Sequence, residues 1–339
     1  MRTIVLAASL AMAFAGAALE AQQVTGTVES HLAAAKKAAG SDFTALYDRI
    51  CSEYEKPLTP PPPAGQGRGG GGGGRQAGPP PAAQWHAEPM KVFDNLYFVG
   101  MTEYSAWALT TSQGIIVIDT IYDYSVEDEV VNGLKKLGLN PADIKYALVS
   151  HAHTDHIGGA KYLQEHFGAR VVMSKEDWDV SDRTIPERIR PKRDVEVKDG
   201  DTLTLGDTTI TMYLTPGHTP GTISSIYQVK DRGTTHTVAT WGGTAFNFAP
   251  KPENFLPYIR SAERYRDIVR KAGADVVLSN HTAYDSTNAK IAALRARKPN
   301  ERHPFVIGNA NILRYLTTAE ECAKAGFLAT SKLAGTSSR

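Results

Sequence analysis

The sequence predicts an α/β fold, and three observations support that prediction. Predicted strands and helices alternate along the chain from residue 92 onward. The stretch GIIVID (114–119) is a continuous apolar, β-branched run, which is typical of a strand buried inside a sheet. The most unusual histidines fall where a predicted strand ends and a loop begins, and α/β proteins place their sites at such positions.

The predicted elements follow one another in a regular order. Strands are predicted at 92–99, 105–111, 114–119, 146–150, 170–173, 223–229, 236–240 and 275–279, with several short strands between 195 and 214. Helices are predicted at 126–137, ended by Gly138, at 160–167 and at 258–271, and further helices are predicted between the strand at 275–279 and the C-terminal end.

Length and charge limit the classes of function. The 339 residues, 42% of them apolar, suit one large domain with appendages or two small domains. The 37 Lys and Arg residues balance 36 Asp and Glu residues, and the net charge is +1. This balance provides no basic patch for nucleic acid or for a membrane surface, so neither is expected as a partner.

The N-terminal segment resembles a secretion signal. Arg2 precedes an apolar run at 4–19, and small residues surround Ala21. The run is shorter than the roughly 20 residues that a membrane-spanning helix needs. We therefore expect a signal peptide at 1–21 and a secreted or periplasmic bacterial protein after cleavage near Ala21.

Three further regions follow the signal peptide. Residues 22–56 are predicted to form a helical N-terminal arm, 57–84 a Pro/Gly-rich disordered linker, and 85–339 a folded α/β domain with C-terminal helices. Gly65, Gly67 and Gly70 match a dinucleotide-binding pattern, but their proline-rich flanks exclude the strand and helix that the pattern requires. Cys51 and Cys322 can form one disulfide in an oxidising compartment, a pairing that the sequence leaves open.

The stretch ALVSHAHTDHIGG (147–159) carries the strongest chemical signal. His151, His153, Asp155 and His156 follow directly after a short apolar run. Imidazole and carboxylate ligands suit Zn²⁺ and similar divalent ions. Without a cation, such closely packed groups would compete for hydrogen-bond partners. The stretch therefore predicts a metal site.

Two more histidines are candidates for completing the metal ligands. His218 lies in TPGHTPGT, a rigid turn after a predicted strand, and His281 follows the predicted strand in DVVLSN. The other histidines lack such a position and are assigned ordinary structural roles: His31, His86, His166, His236 and His303.

HAHTDH, GHTPGT and a late histidine at a strand end, in this order and spacing, resemble the metallo-β-lactamase superfamily over residues 92–298. The resemblance implies an αββα sandwich of two similar halves with two Zn²⁺ ions at the loop edges of its sheets. It assigns three ligands to each ion, and Asp119 to a supporting position that steadies a site loop. The implied ligands are His151, His153 and His218 for the first ion, and Asp155, His156 and His281 for the second.

Within that superfamily, the ligand set resembles the third subclass of class B β-lactamases, as do EYSAWALTTSQGIIVID, YIRSAERYRDIV and VVLSNHTAYD. Thr244 stands where many relatives place a bridging aspartate and some lactamases a cysteine. The serines that this subclass uses to hold a substrate carboxylate are not evident, and Thr244 is predicted to bind substrate in their place. The stretch TIYDYS (120–125) also differs from the usual glycine-rich turn.

The resemblance implies hydrolysis of a small-molecule substrate, a β-lactam or a lactone. Two zinc ions would lower the pKa of a bridging water to roughly 7, and the resulting metal-bridging hydroxide would open the β-lactam ring while Asp155 accepts its proton. The alternatives are a lactonase or other ester or thioester hydrolase, and a non-catalytic periplasmic zinc-binding protein. The substrate range, the metal used in the cell and the oligomeric state stay open.

Overall fold

The computed structural model describes residues 24–58 and 78–337. The predicted signal peptide, the glycine pattern at 65–70 and most of the predicted linker lie outside the described residues. At the end of that linker, Ala82–Gln84 form a single 3₁₀ turn where disorder was predicted. The turn is held in place because Trp85 is buried and its Nε1 donates to the Pro80 carbonyl at 2.9 Å.

Twelve strands form two sheets. In chain order they are β1 (Met90–Lys91), β2 (Leu96–Phe98), β3 (Trp107–Thr111), β4 (Gly114–Ile118), β5 (Ile144–Leu148), β6 (Arg170–Ser174), β7 (Val195–Val197), β8 (Thr202–Leu205), β9 (Thr208–Leu214), β10 (Ile223–Asp231), β11 (Thr234–Trp241) and β12 (Val276–Ser279). The first sheet has the order β1-β2-β3-β4-β5-β6-β7, and the second has the order β12-β11-β10-β9-β8.

The helices cover the outer faces of the sheets. They are α1 (Val28–Ala39), α2 (Thr44–Ile50), α3 (Asn132–Lys136), α4 (Thr154–Ile157), α5 (Ala160–Phe167), α6 (Lys175–Thr184), α7 (Pro252–Ala272), α8 (Thr287–Ala296) and α9 (Asn309–Ser337). In the part of the chain that the structure describes, none of these helices is both long and apolar enough to cross a bilayer.

The strand β4 shows how the sequence produces the layers. Successive side chains of a strand point to opposite faces of its sheet. Ile116 and Ile118 therefore enter the apolar layer between the two sheets, whereas Ile115 and Val117 enter the layer beneath the helices. A strand buried on both faces needs a continuous apolar run, and GIIVID supplies one. The observed helix–sheet–sheet–helix arrangement confirms the predicted αββα sandwich.

The N-terminal arm is an integral part of the second outer layer. Buried residues of α1 and α2, such as Ala35 and Leu46, share one apolar cluster with the buried face of α9. Cys51 and Cys322 form a disulfide between the end of this arm and α9. The arm is thereby fixed to the sandwich at both its apolar face and its end.

Two helical predictions differ from the structure. The predicted helix at 126–137 contains a π-helical turn, Glu127–Val131, before α3. The helix α6 was not predicted, because its sequence KEDWDVSDRT is too polar to show a clear apolar stripe. Its start is nevertheless defined by Ser174, whose hydroxyl caps the helix by accepting from the Asp177 backbone N–H.

Candidate metal centre

Three histidines converge at the ends of β5 and β9. His151 and His153 lie on the loop between β5 and α4, and His218 lies on the turn that follows β9. His218 Nε2 is 3.0 Å from His151 Nε2 and 3.1 Å from His153 Nδ1. His151 and His218 are buried, whereas His153 is partly exposed. The three ring nitrogens that meet here form the first triad.

The protonation pattern of the first triad fits a cation. His151 Nδ1 lies 2.8 Å from the Gly242 carbonyl, and His218 Nδ1 lies 2.6 Å from the Ala245 carbonyl. A carbonyl only accepts, so each Nδ1 carries the proton and donates it. Burial lowers the pKa of His218 to about 3, and burial also lowers the pKa of His151. Both rings are therefore neutral, and two bare Nε2 lone pairs face each other, an arrangement that a metal ion would stabilise.

A second triad lies beside the first. Asp155 and His156 are on α4, and His281 follows β12. Asp155 Oδ2 is 3.2 Å from His156 Nε2 and 3.5 Å from His281 Nε2, and the two histidine nitrogens are 3.3 Å apart. Within each triad the donor atoms lie within 4.8 Å of one another. The donor chemistry of both triads fits Zn²⁺.

Charge at the second triad is arranged around His156. Burial disfavours its protonation, but the carboxylates of Asp155 and Asp119 outweigh burial and raise its pKa to about 10. Burial likewise raises the pKa of Asp155, but His156 and His281 outweigh it and hold that pKa well below its usual range. Burial lowers the pKa of His281 to about 3. A proton on His156 thus balances the acidic groups in the metal-free protein, and a metal ion would replace it.

Asp119, predicted to take a supporting position, contacts both the loop that follows β5 and one ring of the second triad. Its carboxylate accepts from the Ser150 backbone N–H at 2.7 Å and from the Ser150 hydroxyl at 3.0 Å. Its other contact is His156 Nδ1, at 3.1 Å, which directs Nε2 of that ring toward Asp155 and His281. Asp119 adopts a left-handed conformation with φ 56°, which aspartate tolerates better than most residues.

Asp177, which the sequence analysis missed, connects the two loops of the first triad. Its buried carboxylate accepts from the backbone N–H groups of Ala152 and Gly221, each at 3.0 Å, and from the Thr219 hydroxyl at 2.7 Å. Ala152 lies between the two histidines of its loop, and Thr219 follows His218 directly. The available signal was Ser174 three residues before Asp177, a helix-capping pattern at the end of a strand.

Asp285 and Asn280 were also missed, and both hold the loop that carries His281. The Asp285 carboxylate accepts from the Ser279 and Thr287 backbone N–H groups, each at 3.0 Å. Asn280 Nδ2 donates to the Gly242 carbonyl at 2.8 Å, the same carbonyl that orients His151. The two triads therefore share supporting contacts.

Thr244 does not occupy the position expected of a substrate-binding hydroxyl. It is 1% exposed, and its Oγ1 lies 3.3 Å from the Ser279 hydroxyl and 3.5 Å from the Tyr315 hydroxyl. Its hydroxyl is directed into the protein by these contacts, so the burial argues against direct contact with a substrate. The preceding glycine, Gly243, is required because a Cβ there would lie 2.5 Å from His218 Cβ.

The remaining histidines make local contacts away from the triads. His31 contacts Glu321, His86 contacts Glu129, His166 contacts the Tyr162 carbonyl, His236 contacts Asp275, and His303 contacts the Val92 carbonyl. These contacts agree with the structural roles expected for them.

Aromatic rings surround the open side of the second triad. The Tyr104 ring centroid is 5.0 Å from that of His281, and the Tyr284 ring is 5.4 Å from it. Tyr122 packs edge-on against Tyr104 at 5.1 Å and stacks on Tyr124 at 5.0 Å. The stretch TIYDYS, which departs from the glycine-rich turn expected of the family, supplies two of these rings.

Comparison with known proteins gives relatives of one superfamily. A model of the metallo-beta-lactamase superfamily matches residues 100–232. An N-acyl homoserine lactonase from Bacillus sp. is 26% identical over 176 residues, which are 49% of this chain and 66% of the lactonase. Hydroxyacylglutathione hydrolase GloC from Haemophilus influenzae is 30% identical over 126 residues, which are 34% of this chain and 58% of that enzyme. The chain thus spans between half and two thirds of the length of these curated relatives.

Solved structures match more of the chain. BJP-1, a subclass B3 metallo-beta-lactamase of Bradyrhizobium japonicum, is 26% identical with a TM-score of 0.54, covering 74% of this chain and 94% of its own. A metallo-beta-lactamase from Cronobacter sakazakii is 28% identical with a TM-score of 0.59, and the match covers 75% of this chain and 96% of that enzyme's chain. The matched model over residues 100–232, the shared sandwich and the paired triads make this chain similar to members of the metallo-beta-lactamase superfamily.

Proposed function

We propose that this protein is a dizinc hydrolase that opens the ring of β-lactam antibiotics. The observation that carries the proposal is the pair of adjacent triads, in which the donor atoms of five imidazoles and one carboxylate converge. In the proposed assignment, His151, His153 and His218 hold one ion, and Asp155, His156 and His281 hold the other. When bound, the ions supply a water of lowered pKa and a Lewis acid for the scissile carbonyl.

The chain's own residues position the reacting groups. Asp119 orients His156, and Asp177 sets the spacing of the two loops in the first triad. Asp155 is 18% exposed, so it faces the side from which substrate arrives and is placed to take up a proton there. The aromatic rings near His281 would exclude water from one side of the bound substrate.

A lactonase is the second candidate, because several curated relatives are N-acyl homoserine lactonases. Two observations favour the β-lactamase. The solved β-lactamases align with 74–75% of this chain, whereas the first lactonase aligns with 49%. The second triad also ends in His281, a ligand set that resembles the third lactamase subclass, and Thr244 stands where lactonases place a bridging aspartate.

The test is hydrolysis of a chromogenic cephalosporin and of an N-acyl homoserine lactone, with added zinc and with a chelator. Chelator-sensitive turnover of the cephalosporin is expected. Turnover of the lactone alone would overturn the β-lactamase proposal and favour the second candidate. The Asp155→Asn variant should lose most turnover while staying folded, whereas a non-catalytic zinc-binding protein would lose affinity and have no turnover to lose.

Asp207→Asn is the matched control, because it removes the same charge. Asp207 lies in the turn before β9, at the opposite end of that strand from His218. This variant should retain wild-type turnover. An equal loss in both variants would indicate a general effect of charge rather than a role for Asp155.

We also propose that the protein is exported to the periplasm or beyond the cell. The charged and apolar N-terminal pattern supports export, and a disulfide between Cys51 and Cys322 suits an oxidising compartment. N-terminal sequencing of protein from the periplasmic fraction should find a start near Ala21. Recovery of the full-length chain from the cytoplasm would contradict export.

A further inference from the structure

The loop from Gly242 to Ala245 orients both buried histidines of the first triad. The Gly242 carbonyl lies 2.8 Å from His151 Nδ1, and the Ala245 carbonyl lies 2.6 Å from His218 Nδ1. These four residues, here called the carbonyl loop, leave the sheet at the end of β11, where the bonds of the strand ladder stop. The direction of their carbonyls therefore depends on contacts from outside the sheet.

Tyr258 of α7 holds the carbonyl loop from the helix side. Its hydroxyl donates to the Thr244 carbonyl at 2.8 Å and accepts from Trp241 Nε1 at 3.2 Å. One phenol thereby connects the residue before the loop with the residue next to Ala245. Tyr258 is 1% exposed, and the Phe246 ring packs edge-on against its ring at 4.9 Å. The hydroxyl therefore has two defined partners and a fixed position.

The same face of α7 also holds the turn that carries His218. Ser261 follows Tyr258 by three residues, a spacing that places two side chains on one face of a helix. The Ser261 hydroxyl donates to the Pro216 carbonyl at 2.7 Å. A Cβ at Gly217 would lie 2.6 Å from the Tyr258 Cβ, so the backbone of the turn packs directly on this helix. The turn of His218 and the loop whose carbonyl orients its ring are thus both fastened to α7.

We propose that Tyr258 and Ser261 are positioning residues for the first metal ion. Ser261 fixes the turn of His218, and Tyr258 fixes the peptide group next to the carbonyl that accepts the Nδ1 proton of His218. A hydrogen bond at Nδ1 sets the tautomer and the direction of an imidazole, and therefore the direction of its Nε2. This positioning role rests on the zinc-binding part of the proposed function. It adds two buried residues that are not among the proposed ligands.

The test measures zinc affinity in a chain that keeps only the first triad intact. The His281→Ala variant lacks a proposed ligand of the second ion, so calorimetric titration of this variant with zinc reports binding to the first triad. Adding Tyr258→Phe removes one hydroxyl and keeps the buried ring. We expect this change to weaken zinc binding about 10–100-fold, the range for loss of a group that orients a metal ligand. Adding Ser261→Ala instead should also weaken it.

Tyr265→Phe is the matched control on the same helix. Tyr265 is also 1% exposed, and its hydroxyl donates to the Ser225 carbonyl at 2.8 Å, the distance found for the bond of Tyr258. Ser225 belongs to β10, where the ladders to β9 and β11 already hold the backbone. Urea unfolding should show a similar loss of stability in both Phe variants, whereas only Tyr258→Phe should lose zinc affinity. Equal zinc affinities in the two variants would overturn the proposal.

Hydrogen exchange at the His218 ring provides a readout that needs no zinc. The Nδ1 proton of His218, assigned by its absence in His218→Gln, is expected to exchange slowly in NMR spectra of the metal-free wild type and of Tyr265→Phe. In Tyr258→Phe and in Ser261→Ala it should exchange faster, because the ring and its carbonyl are held less firmly. An unchanged exchange rate in both would overturn the proposal. If Tyr258→Phe does not fold, Ser261→Ala decides by both measurements.

Failure of the proposed function can be told apart from failure of this positioning role. If the wild type binds zinc but hydrolyses neither the cephalosporin nor the lactone, the hydrolase proposal fails and the titrations still test Tyr258 and Ser261. If the wild type binds no zinc, the dizinc proposal fails and the exchange rates of the His218 proton decide. Faster exchange in Tyr258→Phe than in Tyr265→Phe would then support the positioning of His218, whereas equal rates would overturn it.

Discussion

One oxygen of the Asp177 carboxylate accepts hydrogen bonds from the Thr219 hydroxyl at 2.7 Å and from the Ala152 backbone N–H at 3.0 Å. One buried side chain thereby connects the loop of His151 and His153 with the turn of His218. Because these two segments are far apart in sequence, the spacing of the first triad depends on this carboxylate. Residues that touch no metal ion can therefore decide how well the site binds one.

We expect the Asp177→Asn variant to weaken the first metal site. Asparagine replaces one accepting oxygen with an NH₂ group that only donates. At least one of the three groups that donate to the Asp177 carboxylate therefore loses its partner. The expected loss is about 1–3 kcal/mol in the free energy of unfolding and about 10–100-fold in zinc affinity. Urea unfolding and zinc titration with a chromophoric chelator measure the two effects. Unchanged zinc affinity would show that the loops keep their spacing without the carboxylate.

The Asp119→Asn variant should affect the second triad selectively. Asparagine tolerates the left-handed backbone at this position, so the backbone is expected to persist. The weaker contact with His156 should lower the affinity for the second zinc by about 10–100-fold and leave the first nearly unchanged. Calorimetric titration of the metal-free protein resolves the two binding steps. An equal loss at both steps would contradict a selective role.

Removal of the disulfide should destabilise the protein. The double variant Cys51→Ser with Cys322→Ser loses the crosslink between the arm and α9, and loss of a native disulfide costs about 2–5 kcal/mol of stability. Urea unfolding of the variant is compared with that of the wild type under oxidising and reducing conditions. Reduction should lower wild-type stability to the level of the variant and leave the variant unchanged. A wild type that is insensitive to reduction would contradict this role.

Stability of the metal-free protein should fall in mild acid. Burial lowers the pKa of His218 and of His281 to about 3 each, whereas a histidine in the unfolded chain has a pKa of about 6.5. Between these values the unfolded chain binds protons that the folded chain does not, so stability is lost as the pH falls below about 6.5. At one pH unit below that value the expected loss is about 1 kcal/mol for each histidine.

Thermal unfolding of chelator-treated protein between pH 7.5 and 5.5 measures this loss. His156 has its pKa raised to about 10 and is protonated in both the folded and the unfolded state at the acid end of this range. The stability that the protonated His156 contributes is therefore lost as the pH rises from about 6.5 toward 10, which is the opposite direction to that for His218 and His281. A melting temperature that does not change from pH 6.5 to 5.5 would contradict neutral, buried rings at His218 and His281.

The sequence by itself determined much of the architecture and of the candidate site. Apolar runs such as GIIVID defined the buried strands, because a strand covered on both faces needs apolar residues at every position. Strand ends located His151, His218 and His281, since loops leaving one edge of a sandwich bring side chains together. The ligand sets themselves came from the resemblance, and the structure brings each predicted set together.

Only the tertiary structure decided which residues support the site and which are buried away from it. The capping turn, the buried carboxylates of Asp177 and Asp285 and the burial of Thr244 depend on contacts between segments distant in sequence. The arm could be predicted as helical, but its position in the outer layer follows from packing on α9 and from the disulfide. Local sequence patterns report periodicity and turn chemistry, whereas hydrogen bonds between loops and the burial of a side chain are set by the folded arrangement.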